Sequence, residues 1–206
     1  MKQTAYVKLT IAIVLVLAVS SAWAQMPQPF SADMAITPRT GEKMTGKIYF
    51  SPPKNRMDMN TRQGSVSTIN DSSTQTMYTI MHDQKMYMEY HLDQMPAMMR
   101  QQQAATPKSF DPAHPCGAEM KCQKVGTETV NGRSCDKWVM TNKNGATTTA
   151  WIDQKLLYPV KTIASEGSTW ELSNIKEGAQ AASLFQPPAG YKKMDLGSMM
   201  GGQRPH

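Results

Sequence analysis

The sequence predicts a mainly β fold in a single domain, with about ten or eleven strands and one interrupting helix. Three observations carry this expectation. Apolar residues recur at every second position through most of the chain, the spacing that gathers them on one face of a strand. Turn formers such as Pro52-Pro53, Gly64 and Asn131-Gly132 punctuate the alternation at strand-length intervals. Residues 92–103, rich in Met, Gln and Ala, break that rhythm and suit a short helix, with Pro96 near its first turn.

The first element is a targeting segment. Lys2 and Lys8 give a positive start, residues 9–19 are almost unbroken apolar, and Ala22-Trp23-Ala24 places small residues where a signal peptidase reads. Cleavage is expected after Ala24. The apolar run is shorter than the roughly 20 residues that a membrane span needs. The first cysteine is Cys116, so no lipidated N-terminus is expected and the mature chain should not span the membrane. The organisation read from the sequence is a signal peptide over 1–24, a β domain over 25–194 and a disordered Gly- and Met-rich tail over 195–206.

The strands follow in order. Phe30, Ala32, Met34 and Ile36 alternate with Ser31, Asp33 and Thr37, and residues 38–43 form a turn. Met44, Gly46, Ile48 and Phe50 resume the pattern, then Met57 and Met59 alternate with Arg56, Asp58 and Asn60. After Gly64 come residues 66–69, then residues 77–81 and 85–92 around a His82-Asp83-Gln84 turn. These last two strands are apolar on both faces: Met77 and Met81 oppose Tyr78 and Ile80, and Met86, Met88, Tyr90 and Leu92 oppose Tyr87. A sheet apolar on both sides must be covered on both sides or line a cavity. Past a proline-containing loop at 104–115, Asn131-Gly132 between strand-like runs is a strong hairpin signal. Its register puts Val125 opposite Trp138 and Cys135 opposite Glu128. Strands over 146–153, 158–165 and 168–176 complete the set, and residues 183–191, with Leu184 and Phe185, read as a closing loop that tucks an aromatic under the sheet.

That register also bears on the three cysteines. Cys122 lies six residues from the point opposite Cys135, roughly 20 Å along a strand, too far for a bond. A Cys116–Cys122 disulfide is therefore expected in an exported chain, leaving Cys135 free or paired between chains.

Cleavage leaves 182 of the 206 residues, enough for one core, and loss of two leader lysines lowers the net charge from +6 to +4. That excess is compatible with contact at an anionic membrane surface, but no basic run interleaved with aromatics points to nucleic acid. No nucleophile elbow, phosphate loop, dinucleotide fingerprint or zinc spacing is present, and the four histidines are scattered. The reading is therefore non-enzymatic, without catalytic residues, a cofactor or a metal ligand set of the usual kind. The unusual feature is 18 methionines against four phenylalanines. Met57/Met59 and Met86/Met88 each project from one face of a strand. They suit plain core, an adaptable apolar wall or a soft-metal half-site for copper.

Residues 32–34 with Gly41, the run Met44-Thr45-Gly46-Lys47-Ile48-Tyr49, and Arg56-Met57-Asp58-Met59 resemble the opening meander of LolA-like proteins. More narrowly, they are similar to an uncharacterised branch described as a domain of unknown function. Lys85-Met86-Tyr87-Met88, the stretch 124–132 with Asp136-Lys137-Trp138, 174–178 and the ending from Leu184-Phe185 to Tyr191 resemble that branch too. The resemblance covers nearly the whole mature chain. It implies an incomplete β-barrel, one curved antiparallel sheet of about eleven strands with one or two short helices, in the periplasm. It further implies a carrier for a lipid, an acyl chain or a lipoprotein. The residues expected to line the concavity are Met57, Met59, Met86, Met88 and Trp138. The alternative is an envelope sensor or interaction module with a filled pocket and a protein partner.

Overall fold

The computed structural model of the chain describes residues 27–62, 64–91 and 120–194. The expected leader, the helix expected over 92–103, the loop expected after it and the expected tail, with Leu92 and Cys116, lie outside these residues.

The described chain folds as one sheet. Strands β1 (Phe30–Thr37), β2 (Met44–Ser51), β3 (Lys54–Thr61), β4 (Gly64–Asp71), β5 (Thr76–Met81) and β6 (Met86–His91) form an antiparallel meander. A second meander comprises β7 (Lys121–Val130), β8 (Arg133–Thr141), β9 (Thr147–Asp153), β10 (Tyr158–Ala164) and β11 (Thr169–Glu177). Pairing of β1 with β11 joins the two halves. A 3₁₀ turn at Ala182–Phe185 precedes β12 (Lys192–Met194), which adds in parallel to the edge of β6. The order β12-β6-β5-β4-β3-β2-β1-β11-β10-β9-β8-β7 makes an open twelve-stranded sheet. The expected fold class is therefore the observed one, with one strand more than the alternation revealed.

The sheet is strongly curved, and aromatic contacts show which way. Phe50 on β2 and Tyr158 on β10 are three strand steps apart, about 14 Å on a flat sheet. Their ring centroids nevertheless lie 4.8 Å apart, and Phe30 between them is 5.5 and 5.1 Å from each. The face carrying Phe30 and Phe50 is thus the concave one. Phe30, Ala32, Met34, Ile48, Val160 and Leu172 are buried in the main core cluster. On the convex face Ile69 and Ile80 form a second buried cluster with Phe185. The aromatic expected to tuck under the sheet is Phe185, and it covers the outer side.

The β7–β8 hairpin turns on Asn131 (φ 49°) and Gly132 (φ 77°), the left-handed pair that a tight two-residue turn needs. Asn131 Nδ2 also donates to Glu171 Oε1 at 2.9 Å and to the Leu172 carbonyl at 2.8 Å, tying the tip to β11. Cys135 pairs with Glu128 as expected, and Cys122 pairs with Met140. One expected pair fails. A bulge between Lys124 and Gly126 puts Lys124, not Val125, opposite Trp138. The extra residue leaves Val125 unpaired in the ladder and 48% exposed.

Candidate functional site

Cross-strand register assigns faces residue by residue, because paired residues share a side of the sheet. Met34, Gly46, Met59, Val66, Met81 and Met86 form one row across β1 to β6. Ala32, Ile48, Met57, Thr68, Thr79 and Met88 form the next. Both rows lie on the concave face. A third line runs from Ile36 through Trp170, Thr162 and Ala150 to Trp138. All five residues singled out in the sequence, Met57, Met59, Met86, Met88 and Trp138, therefore sit on that face, each half-buried. Met57 and Met59 pack against the main core cluster. Between the methionines and Trp138 the face is filled by the rings of Phe30, Phe50, Tyr158 and Trp170. Burial pushes the Tyr158 phenol up to about 12.

Gly46 shows how closely this face is packed. A Cβ there would stand 2.1 Å from the Asp58 carbonyl oxygen, so no side chain fits. At the other end the Trp138 Nε1–H is buried without a hydrogen-bond partner among the described residues. Leaving such a donor unmet costs about 1–3 kcal/mol. Two clefts, of about 370 and 430 Å³, lie elsewhere: one by Pro29, Lys155 and Glu177, the other by Asp33, Lys47 and Asn174. Neither is lined by the five residues.

The convex face carries a polar network with no counterpart in the sequence reading. Arg56 is 8% exposed and donates through Nε to Asp58 Oδ1 (2.6 Å), through Nη1 to the Leu184 carbonyl (2.9 Å) and through Nη2 to Ser67 Oγ (3.0 Å). Ser67 Oγ lies 2.6 Å from both Asp58 Oδ1 and His82 Nε2. A Ser–His contact this short invites a nucleophile–base reading, but the proton count opposes it. A carboxylate only accepts, so the single Ser67 hydroxyl proton goes to Asp58. Ser67 Oγ then accepts from Arg56 and from His82, which must carry its proton on Nε2. His82 Nδ1 lies 3.1 Å from the Tyr191 hydroxyl and shares a hydrogen bond with it. His82 is thus a donor to Ser67 and not its base, and Ser67 is fully buried. The network pins the C-terminal segment to the sheet through Leu184 and Tyr191.

Cys135 is a free thiol, fully buried. Burial first, then the Asp153 carboxylate, pushes it up to about 11, the opposite of an activated nucleophile. Cys122 is not without a partner, while Cys116 lies outside the described residues. Among the described residues no three His, Cys, Asp or Glu side chains gather as a metal site, and no helix is long and apolar enough to cross a membrane.

An open curved sheet of this kind is shared with known structures. An uncharacterized conserved protein from Thermus thermophilus aligns with TM-score 0.57 and 10% identity, over 82% of this chain and 91% of that one. MucB aligns with TM-score 0.54 and 14% identity, over 82% of this chain and 60% of its own. In a complex structure of Pseudomonas aeruginosa MucA/MucB the values are 0.52 and 16%, over 81% and 58%. The chain thus spans about three-fifths of MucB. At such identities the likeness concerns the fold alone. No curated protein matches the sequence. Residues 31–158, more than half of the chain, match the family described as Domain of unknown function (DUF4412), and the chain belongs to that family.

Proposed function

We propose that this protein is an exported, non-catalytic binding module of the periplasm that takes an apolar ligand, a lipid or the acyl chain of a lipoprotein, on its concave face. The observation that carries the reading is the gathering of the half-buried methionines and Trp138 on that one face. Methionine has three rotatable bonds and a polarisable sulfur, so such a wall adapts to variable apolar shapes. Each buried methylene contributes about 0.8 kcal/mol. A sixteen-carbon chain would therefore gain about 12 kcal/mol before the costs of association. The unmet Trp138 Nε1–H offers a donor to a ligand ester or carboxylate. Export rests on the leader-like residues 1–24, and a Cys116–Cys122 disulfide belongs to the same proposal.

The test is native mass spectrometry of protein purified from its own envelope fraction, followed by solvent extraction and lipid analysis. A stoichiometric lipid or acylated peptide is expected. A clean apo mass, with no binding of a fluorescent fatty-acid probe, refutes the carrier reading.

A second reading, a module for an envelope protein partner, is favoured by two observations. MucB has been solved in complex with MucA(peri), and the two clefts described lie away from the methionine wall. An extended apolar segment of a protein needs a shallow adaptable surface and no deep cavity.

A further inference from the structure

The two Met-x-Met pairs of the sequence are not two halves of one site, because β4 and β5 stand between β3 and β6. The register instead gathers a different set of thioethers at one corner of the sheet. Met81 on β5 is directly opposite Met86 on β6. Met88 lies two residues further on the same face, and Met194 on β12 pairs with Met88. Directly opposed antiparallel residues have Cβ atoms about 4.5–5.5 Å apart, and residues two apart on a strand are about 7 Å apart. Flexible methionine side chains at such spacing can turn their sulfurs to one point. All four residues are half-buried. None belongs to either core cluster or packs against one, whereas Met57 and Met59 do pack against the first.

The surroundings select the chemistry. In register with these methionines on the same face are Val66, Thr79 and Lys192. Lys192 is exposed, and its long stem lets the ammonium stay in water. No carboxylate or imidazole occupies these register positions. Tyr90 Oη donates to Met88 Sδ at 3.1 Å, which fixes one sulfur on this face. A set of neutral, soft thioethers holds Cu(I) and offers little to Zn(II), Cu(II) or a hard cation. We propose that Met81, Met86, Met88 and Met194 form a Cu(I) site at the β5–β6–β12 corner. The inference does not rest on the lipid or partner readings above, although Met86 and Met88 also belong to the methionine wall.

The test is an anaerobic titration of the full chain with Cu(I) against bicinchoninate, together with native mass spectrometry of the Ag(I) complex as a redox-inert probe. One ion per chain is expected. Thioethers do not protonate in water, so affinity should stay flat from about pH 7.5 to about 5.5, where histidine ligands would be lost. Met86→Leu/Met88→Leu keeps volume and removes two sulfurs, and should weaken binding by about tenfold or more. Met57→Leu/Met59→Leu, on the same face two strands away from β5, should bind Cu(I) and Ag(I) as the parent does. Failure of the parent chain to draw Cu(I) from bicinchoninate or to hold Ag(I) overturns the proposal. An equal loss in the Met57/Met59 variant overturns it too.

Discussion

Arg56→Met tests whether the convex-face network holds the C-terminal segment in place. Methionine keeps most of the aliphatic stem and deletes the guanidinium. Three acceptors each lose one donor: the Leu184 carbonyl, Asp58 Oδ1, which keeps the Ser67 hydroxyl, and Ser67 Oγ, which keeps His82. Hydrogen bonds to a charged group are worth about 1.5–3 kcal/mol each, and breaking a buried ion pair costs about 3–5 kcal/mol. The Arg56 side chain is 10% exposed but that of Asp58 is 33% exposed, so water recovers part of the carboxylate's loss. The expected destabilisation is about 3 kcal/mol. Removing both charges in Arg56→Met/Asp58→Leu leaves no stranded carboxylate, so the double variant should be more stable than the sum of the two singles by about 1 kcal/mol or more. Urea unfolding of the four proteins of this cycle gives both quantities. The second readout is proteolysis of residues 182–194, which should become faster in both variants that lack Arg56, since both lose the bond to the Leu184 carbonyl. A loss below about 0.5 kcal/mol, or an additive cycle, would mean that the network is decoration on a segment held by other contacts.

Phe185→Ala should cost about 3–4 kcal/mol in the same urea assay, because the ring is 5% exposed against Ile69 and Ile80 and its removal opens a cavity. Gly46→Ala should lower the melting temperature although it adds one methyl, since that carbon meets backbone and not a movable side chain. Cys135 should stay unmodified by a thiol reagent at pH 8 in the folded protein and react once urea unfolds it. Acid should destabilise the fold through specific carboxylates. Lys137 and Trp151 hold Glu128 below the usual carboxylate range, Lys155 and Arg133 do the same for Glu177, and for Asp136 burial is outweighed by Lys124, Gln154 and Thr127. Groups depressed in the folded state stabilise it above their unfolded values, near 4, and lose that contribution as pH falls further. The melting temperature should therefore be level from about pH 7 to about 5 and fall below about pH 4.

Much of this sheet was legible because its strands alternate, and alternation is a local property. The left-handed Asn131-Gly132 pair and the separation of Cys122 from Cys135 followed from a turn and a count along the strands. The Val125 bulge did not, yet a signal was present: Gly126 sits inside a strand pattern, where a lone glycine often marks a bulge. Strand β12 is three residues long and pairs in parallel, so no periodicity could announce it. The Arg56–Asp58–Ser67–His82–Tyr191 network joins positions that only the folded register brings together. Its one local trace is the pair Arg56 and Asp58 opposite in phase to Met57 and Met59. A charged pair on the second face of an inner strand demands partners there.

The same register constrains how the concave face can be used. Trp138 on β8 and Met57 on β3 lie six strand steps apart, about 29 Å along the arc. Phe30, Phe50, Tyr158 and Trp170 occupy the ground between them, with neighbouring centroids 4.8–6.2 Å apart. Packed rings of this kind leave no channel, so one alkyl chain cannot lie in a groove that joins the two ends. A ligand held by the methionine wall should therefore lose affinity in Met57→Leu/Met88→Leu and ignore Trp138→Phe, and a ligand anchored on the indole should do the reverse. Fluorescent fatty-acid titration of both variants separates these cases. Equal weakening in both would require the aromatic rings to move apart on binding, which Phe50→Leu would then make easier, and such a result would refute a divided concave face.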